Sequence, residues 1–409
     1  MNRLWSAFFF IAFFSCFYQA IFLENVGIFN EVLSSLFAMA KVAVDICIGL
    51  LGLMVFWCGL MKIAEASGIM AKLSILLSPL FRVLMPGVPK GHPAIGSVTL
   101  NMMANILGLD NAATPLGITA MKDLQTLNAR PDTATNAQIM FLVINTSSVT
   151  LFPVTIFLFR AQQGAVNPTD VFLPILLATS ASTLVGILAV AFIQRLPLWR
   201  FGFLIYVVPA CILLISVIAW VAGQSAQQIN QFSATVGSFS LLLVIFIFLL
   251  VAQIKKVAVY DCFISGAKEG AKVTLTILPY LLAMLVAIAA LRSSGVLDLL
   301  LAGIRTLVAF FGGDVRFVDA LPTALIKPFS GAGSRAMMVE SMNTYGADSF
   351  TGRLASMFQG STETTFYVLA VYFGSVGIRY GRHAIFCGLL ADFAGILAAI
   401  LVAYHFYGG

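Results

Sequence analysis

Two short polar runs interrupt a sequence that is otherwise apolar. One is Gly360-Ser-Thr-Glu-Thr-Thr365, inside the stretch Ser356–Gly374, and the other is Asn145-Thr-Ser-Ser-Val-Thr150, inside Phe141–Phe159. A helix in a bilayer tolerates such a run only where protein, water or a ligand takes up the polar groups it frees. A broken helix presents N–H groups on one half, which attract anions and acceptors. Its other half presents C=O groups, which can coordinate a cation. The candidate binding residues are therefore Asn145, Thr146, Ser147 and Ser148 in the first break, with Gln359, Gly360, Ser361, Thr362, Glu363 and Thr364 in the second. Ser and Thr also pack membrane helices by bonding back to their own carbonyls. The recurrence of a break in matching places of two halves favours a site over that plainer reading.

Three carboxylates are candidates for proton coupling. Glu363 lies inside the second break and has no acidic counterpart in the first half, where Val149 stands. Asp392 lies in the middle of a span, where a charge costs at least ~2.5–3.5 kcal/mol, so it needs a function or a basic partner such as Arg335. Glu340 lies in an apolar hairpin arm. The cysteines Cys16, Cys47, Cys58, Cys211, Cys262 and Cys387 are scattered without a Cys-x-x-Cys, and His92, His383 and His405 are far apart. No metal site or cofactor is expected. No enzyme is expected either, since the chain lacks His-Glu-x-x-His, Gly-x-Ser-x-Gly and a phosphate-cradling Gly-Lys-Ser loop.

The elements that must position these residues follow from composition. The chain has 409 residues, 60% hydrophobic and only 10% charged, with a mean hydropathy of +0.99. Soluble domains are ~25% charged, so this is an all-α membrane protein. Its net charge of +6 is spread over many loops and forms no patch for nucleic acid. About 20 apolar residues cross a bilayer. Nine stretches qualify: 4–22, 42–64, 136–160, 168–194, 203–222, 236–254, 273–291, 355–376 and 383–406. Ile69–Met85 and Val296–Gly312 each follow a Ser-Gly pair and mix charges into an apolar helix, which predicts helices lying along the interface. If Ile69–Met85 crossed instead, the topology would flip.

A hairpin follows each interfacial helix. The first is expected as Ala94–Leu107, a tip at Gly108–Pro115, and Leu116–Leu127. The second is expected as Ala320–Lys327, a tip at Pro328–Ser334, and Arg335–Thr344. The arms are too short to cross and the tips carry turn formers, so both read as re-entrant. The tips add Asp110, Asn111, Thr114, Ser330, Gly331, Gly333, Ser334 and Arg335 to the candidate site. The order span, interfacial helix, hairpin, broken span, span thus occurs twice, an internal repeat of about 150 residues. An odd number of spans separates the two copies, which inverts them, as in secondary transporters. Arg195 with Arg200, the Lys255–Lys272 cluster, and Arg379 with Arg382 fall on one side and mark it as cytoplasmic, with the N-terminus there and the C-terminus periplasmic.

These same residues resemble the spore maturation proteins A and B, fused in one chain. Asn111-Ala-Ala-Thr-Pro-Leu-Gly117 and Asn145-Thr-Ser-Ser-Val-Thr-Leu-Phe-Pro153 look like the A type. Ala324-Leu-Ile-Lys-Pro-Phe-Ser-Gly-Ala-Gly-Ser-Arg335 and Gly360–Gly374 look like the B type. The resemblance implies an A-like half at 1–200, with a repeat at about 42–194, a connecting hairpin of spans at 201–255, and a B-like half at 256–409. Those families carry the nucleoside-recognition, or Gate, domain, shared with nucleoside transporters, the ferrous iron transport protein B and a dipicolinate transporter. The element order is also similar to that of the concentrative nucleoside transporters. Of their tip motif Gly-Gln-Thr-Glu-Ala-Pro-Leu, this chain keeps Pro115 and Leu116, with Asn111 and Ala113 replacing the Gln and Glu.

The resemblance implies inner-membrane transport of a small polar or anionic solute, nucleoside-, nucleobase- or dipicolinate-like, coupled to Na⁺ or H⁺. The alternative is a membrane scaffold or assembly factor of envelope or spore maturation that uses the fold to bind partners. Expected partners are the solute and the lipid bilayer, with no nucleic acid; self-association into a homo-oligomer stays open.

Overall fold

A computed structural model describes residues 2–106, 110–147, 150–199, 201–224 and 226–408, and these are helical with no named strand. One helix, α1 (Asn2–Phe22), precedes a first set: α2 (Ile28–Ala66), α3 (Ile69–Leu84), α4 (Pro93–Ile106), α5 (Asp110–Gln125), α6 (Asn136–Thr146), α7 (Val154–Gln162) and α8 (Phe172–Gln194). A connecting pair follows, α9 (Phe201–Ala222) and α10 (Ala226–Ile254). The second set is α11 (Val259–Ser293), α12 (Val296–Phe310), a 3₁₀ turn at Arg316–Ala320, α13 (Leu321–Ile326), α14 (Gly331–Tyr345), α15 (Phe350–Ser361), α16 (Thr365–Gly374) and α17 (Ala384–Tyr407). Each set reads long helix, short helix, hairpin, broken helix, long helix. Among the described residues, seven helices are long and apolar enough to cross a membrane. The two broken pairs, α6–α7 and α15–α16, supply the other spans expected from the sequence.

Helices α2 and α11, 39 and 35 residues long, form the most extensive helix pairing in the molecule. At 1.5 Å per residue they reach roughly 58 and 52 Å, beyond a hydrocarbon core of ~30 Å. They run antiparallel and approach backbone to backbone at Gly266-Ala-Lys-Glu-Gly270. A Cβ on Gly266 would lie 2.4 Å from the Cys58 carbonyl oxygen, and one on Gly270 would lie 2.6 Å from that of Met54. Small residues at this spacing let membrane helices gain close dispersion contacts that lipid cannot match.

Short helices α3 and α12 begin at left-handed glycines, Gly68 (φ 70°) and Gly295 (φ 71°), so each Ser-Gly pair is the corner after a long helix. With 16 and 15 residues they reach only ~24 and ~22 Å. The first hairpin departs from expectation at its tip. Helix α5 starts at Asp110 and carries Pro115 inside it, so 110–114 are helical rather than turn. Similarly, α10 begins at Ala226, inside the segment 223–235 expected as a loop; its Gln and Ser residues are polar but helical.

The hairpins enter from opposite ends of the bundle. At the base of α4–α5, the backbones of Asp132 and Ala134 pair with Arg379 and Tyr380, and Arg382 bonds the Ala134 carbonyl (3.2 Å) and Asn136 Oδ1 (2.9 Å). At the other end, beside the base of α13–α14, an ion network ties both broken helices together. Fully buried Arg160 of α7 pairs with Asp170 and Asp348 at 2.9 Å each and donates to the Ala347 carbonyl at 2.7 Å. Arg353 of α15 pairs with Asp170 at 2.8 Å and lies over the Tyr407 ring.

Three variants check this packing. Replacing Gly270 with Leu is expected to cost ~1–3 kcal/mol through overpacking, seen as a lower unfolding midpoint in detergent. Gly303→Ala on exposed α12, where nothing lies within 4 Å, is expected to be neutral or stabilising by up to ~1 kcal/mol. Arg160→Met is expected to cost ~3–5 kcal/mol, because it removes a buried cation from Asp170 and Asp348, leaving them Arg353 alone, and takes the donor from the Ala347 carbonyl.

Candidate functional site

The two broken spans run antiparallel and touch at their breaks. The Glu363 N–H donates to the Thr146 carbonyl at 2.8 Å. Each break also receives its own hairpin: Leu151 N–H donates to the Ile106 carbonyl (3.1 Å), and Phe366 N–H donates to the Pro328 carbonyl (2.9 Å). Helices α8 and α17 back this crossing with small residues. A Cβ on Gly395 would lie 2.7 Å from Thr362, and one on Gly388 would lie 3.0 Å from Thr365; Ser182 bonds the Ala391 carbonyl at 2.9 Å. Four pieces of chain therefore meet at one place because glycine and serine on α8 and α17 leave room for them.

The first break is lined by amides. Asn145 donates to the Phe141 carbonyl (2.9 Å) and its Oδ1 accepts from Asn105 (2.9 Å) and the Tyr372 hydroxyl (3.4 Å). Asn101 joins the hairpin arms by donating to the Ala113 carbonyl at 2.7 Å; its Oδ1 is buried with no hydrogen-bond partner among the described residues. The Phe141 and Tyr372 rings stack at 5.6 Å. Gly117 admits Tyr372, since a Cβ there would sit 2.2 Å from the hydroxyl oxygen. Thr146 and Ser147 turn their hydroxyls back onto Val143 and Ile144, and the Ser147 carbonyl accepts from Thr179 (3.2 Å) and Thr183 (3.4 Å). Thr114 is half-buried on α5. Ser148 and the side chains of Asp110 and Asn111 lie outside the described residues.

The second break is charged. Half-buried Glu363 accepts from the Thr364 N–H at 3.2 Å, placing its carboxylate at the positive end of α16. Asp392 is 2% exposed; its Oδ2 accepts from the Thr365 hydroxyl at 2.6 Å, and its Oδ1 has no hydrogen-bond partner among the described residues. Its hydrogen-bond partner is thus Thr365, not Arg335. Lys327, at the end of α13, is 3% exposed and donates to the Gln359 carbonyl at 2.9 Å, on the negative end of α15. Asp392 interacts electrostatically with both Lys327 and Glu363. The Gln359 Oε1 is a further buried acceptor without a partner among the described residues.

Other candidates hold the framework. Ser330 caps α14 by accepting from Gly333, and Ser334 ties the hairpin arms through the Thr323 carbonyl. Gly331 brings the second tip against Thr364, whose Oγ1 would lie 2.8 Å from a Cβ there. Gly360 packs on Ile156 and Ile175, and Ser361 bonds back to Phe358. Arg335 lies over the Phe159 ring of α7, and its Nε has no partner among the described residues. Glu340 stands apart from the crossing: it pairs with Arg292 at 2.9 Å and accepts from Thr344 at the base of its hairpin.

The structure also shifts the register between the two breaks. Helix α6 ends at Thr146 with Ser147 as its C-cap and α15 at Ser361 with Thr362 as its C-cap, and Leu151 and Phe366 make equivalent hairpin bonds. Glu363 therefore corresponds to Ser148 rather than Val149. Sequence reading also misses Lys327, Asn101, Asn105 and Tyr372. A lysine directly before Pro328 in an apolar arm was the available signal; the amides and the tyrosine carry none without their partners.

Comparison with known proteins agrees with this architecture. The model of the Gate family, described as nucleoside recognition, matches residues 47–162 and 274–379, one segment in each repeat and more than half of the chain. Spore maturation protein B of Bacillus subtilis (strain 168) is 45% identical over 160 residues, covering 39% of this chain and 88% of that protein. Spore maturation protein A of the same organism is 44% identical over 156 residues, covering 38% of this chain and 80% of that protein. No solved structure matches. The chain is a membrane protein that belongs to the Gate, or nucleoside recognition, family.

Proposed function

We propose that the chain is a secondary active transporter that moves a small polar or anionic solute by alternating access around the crossing of its two broken helices. It sits in the inner membrane with its N-terminus cytoplasmic and its C-terminus periplasmic, the orientation favoured by the basic loops. The observation that carries this reading is the Glu363–Thr146 backbone bond, made where hairpins from opposite ends dock. Two inverted halves that meet at discontinuous helices can rock against each other and open the meeting point to either side.

The groups at the crossing suit a heterocyclic solute bearing an acidic or polar substituent. Aromatic rings stack at Phe141–Tyr372 and Phe329–Phe366, and the Asn101 and Gln359 oxygens, without partners among the described residues, can accept hydrogen bonds. Lys327 and Arg335 supply positive charge. A nucleoside, a nucleobase or a dipicolinate-like acid fits this set, with Glu363 as the group that exchanges a proton or contacts the coupling ion.

The test is uptake of uridine, adenine and dipicolinate by the full chain in proteoliposomes, alongside thermal unfolding with each solute. A bound solute at 100 times its Kd stabilises by ~2.7 kcal/mol, so the transported one is expected to raise the unfolding midpoint. Glu363→Gln is expected to abolish its uptake while leaving folding intact, since the Thr364 N–H retains an acceptor. Full uptake by Glu363→Gln would contradict the site. Stabilisation by none of the solutes, with no uptake, would favour a scaffold.

A further inference from the structure

The two repeats satisfy the carbonyl ends of their broken helices by different chemistry. In the first, uncharged groups do it: Thr146 O takes the Glu363 amide, and Ser147 O takes the Thr179 and Thr183 hydroxyls. In the second, the Gln359 carbonyl takes a buried ammonium, that of Lys327. Neither Lys327 nor Asp392 has a charged counterpart, because α4 and α8 contain no acidic or basic residue. One positive and one negative charge thus enter the same buried region of one repeat together. Each alone would cost several kcal/mol in such a place, and together they offset each other.

The surroundings of that ammonium are a cation's donor set. A helix C-terminus carries about half a negative charge. The Asp392 carboxylate, with one oxygen unpartnered among the described residues and the Thr365 hydroxyl bonded to the other, acts electrostatically on that ammonium. Unwound carbonyls with a carboxylate and hydroxyls are what hold small monovalent cations at broken helices. Here the positive charge arrives on a tether.

We propose that Lys327 is a built-in cation. Its ammonium fills, at the carbonyl end of α15 and in the field of Asp392, the place that an exchangeable sodium or lithium ion would otherwise take. The inference goes beyond the transport reading and does not rest on it, since the same charge balance is needed in a scaffold. It implies that removing the ammonium while leaving its space converts the second break into a metal-cation site.

The experiment is thermal unfolding of the purified full chain in sodium, lithium, potassium and choline chlorides at equal ionic strength. The unaltered protein is expected to show no cation-specific rise that depends on Asp392. Lys327→Ala is expected to unfold at a lower temperature in choline and to recover at least half of the loss, saturably, in sodium or lithium. Adding Asp392→Asn to it should abolish the recovery. A folded Lys327→Ala with the same midpoint in every salt would overturn the proposal. So would a sodium-specific rise in the unaltered protein that Asp392→Asn abolishes. If Lys327→Ala does not fold, Lys327→Met with Asp392→Asn is compared with Lys327→Met alone. The double variant must be the more stable, and equal or lower stability overturns the charge balance on which the proposal depends.

Discussion

A peptide group left unpaired in hydrocarbon costs several kcal/mol, and this chain interrupts two of its membrane helices. The bond from the Glu363 N–H to the Thr146 carbonyl resolves that constraint for both breaks at once. It requires the breaks to lie at the same depth, the helices to run antiparallel, and the residues behind them to be small. The glycines and serines of α8 and α17, the hairpin bonds at Ile106 and Pro328, and the duplicated element order are all consequences of making that meeting possible.

Symmetry in the backbone frames an asymmetry in chemistry. The first break is amide and aromatic, with Asn145, Asn105 and Tyr372 sharing neutral hydrogen bonds. The second is ionic, with Glu363, Asp392 and Lys327. Under the proposed transport function, a neutral half and a charged half at one crossing would serve recognition of a solute's uncharged face and a response to its charge. The bundle ends differ in the same way. One is closed by backbone pairing between 132–134 and 379–380, the other by the Arg160, Asp170, Asp348 and Arg353 network. Under the proposed alternating access, opening at the second end would break ion pairs, whereas opening at the first would break, among the described residues, backbone and side-chain hydrogen bonds.

Much of this was legible in the chain itself. Polar runs at Asn145–Thr150 and Gly360–Thr365, the Ser-Gly corners and the two hairpins are local features, fixed by hydropathy and turn chemistry, and the structure places each in its element. What was not legible depends on contacts between distant segments. The correspondence of Glu363 with Ser148 emerges only from the hairpin bonds of Leu151 and Phe366. Lys327 reads in the sequence as one more basic residue, and the Gln359 carbonyl in front of its ammonium sets it apart. Tyr372 reads as an aromatic in a membrane span, and its hydroxyl gains meaning from Asn145. The segment Asp110–Thr114 shows the opposite failure, where a local proline signal reads as a turn but Pro115 lies inside a helix.

Alternating access is the central claim, and it is tested most directly by asking which side of the membrane can reach the crossing. Thr364→Cys, introduced into the full chain with its native cysteines replaced, would be challenged with a membrane-impermeant thiol reagent applied from either face. The account predicts modification from both faces, slowed by the transported solute. Modification from one face only, or from neither, would contradict it.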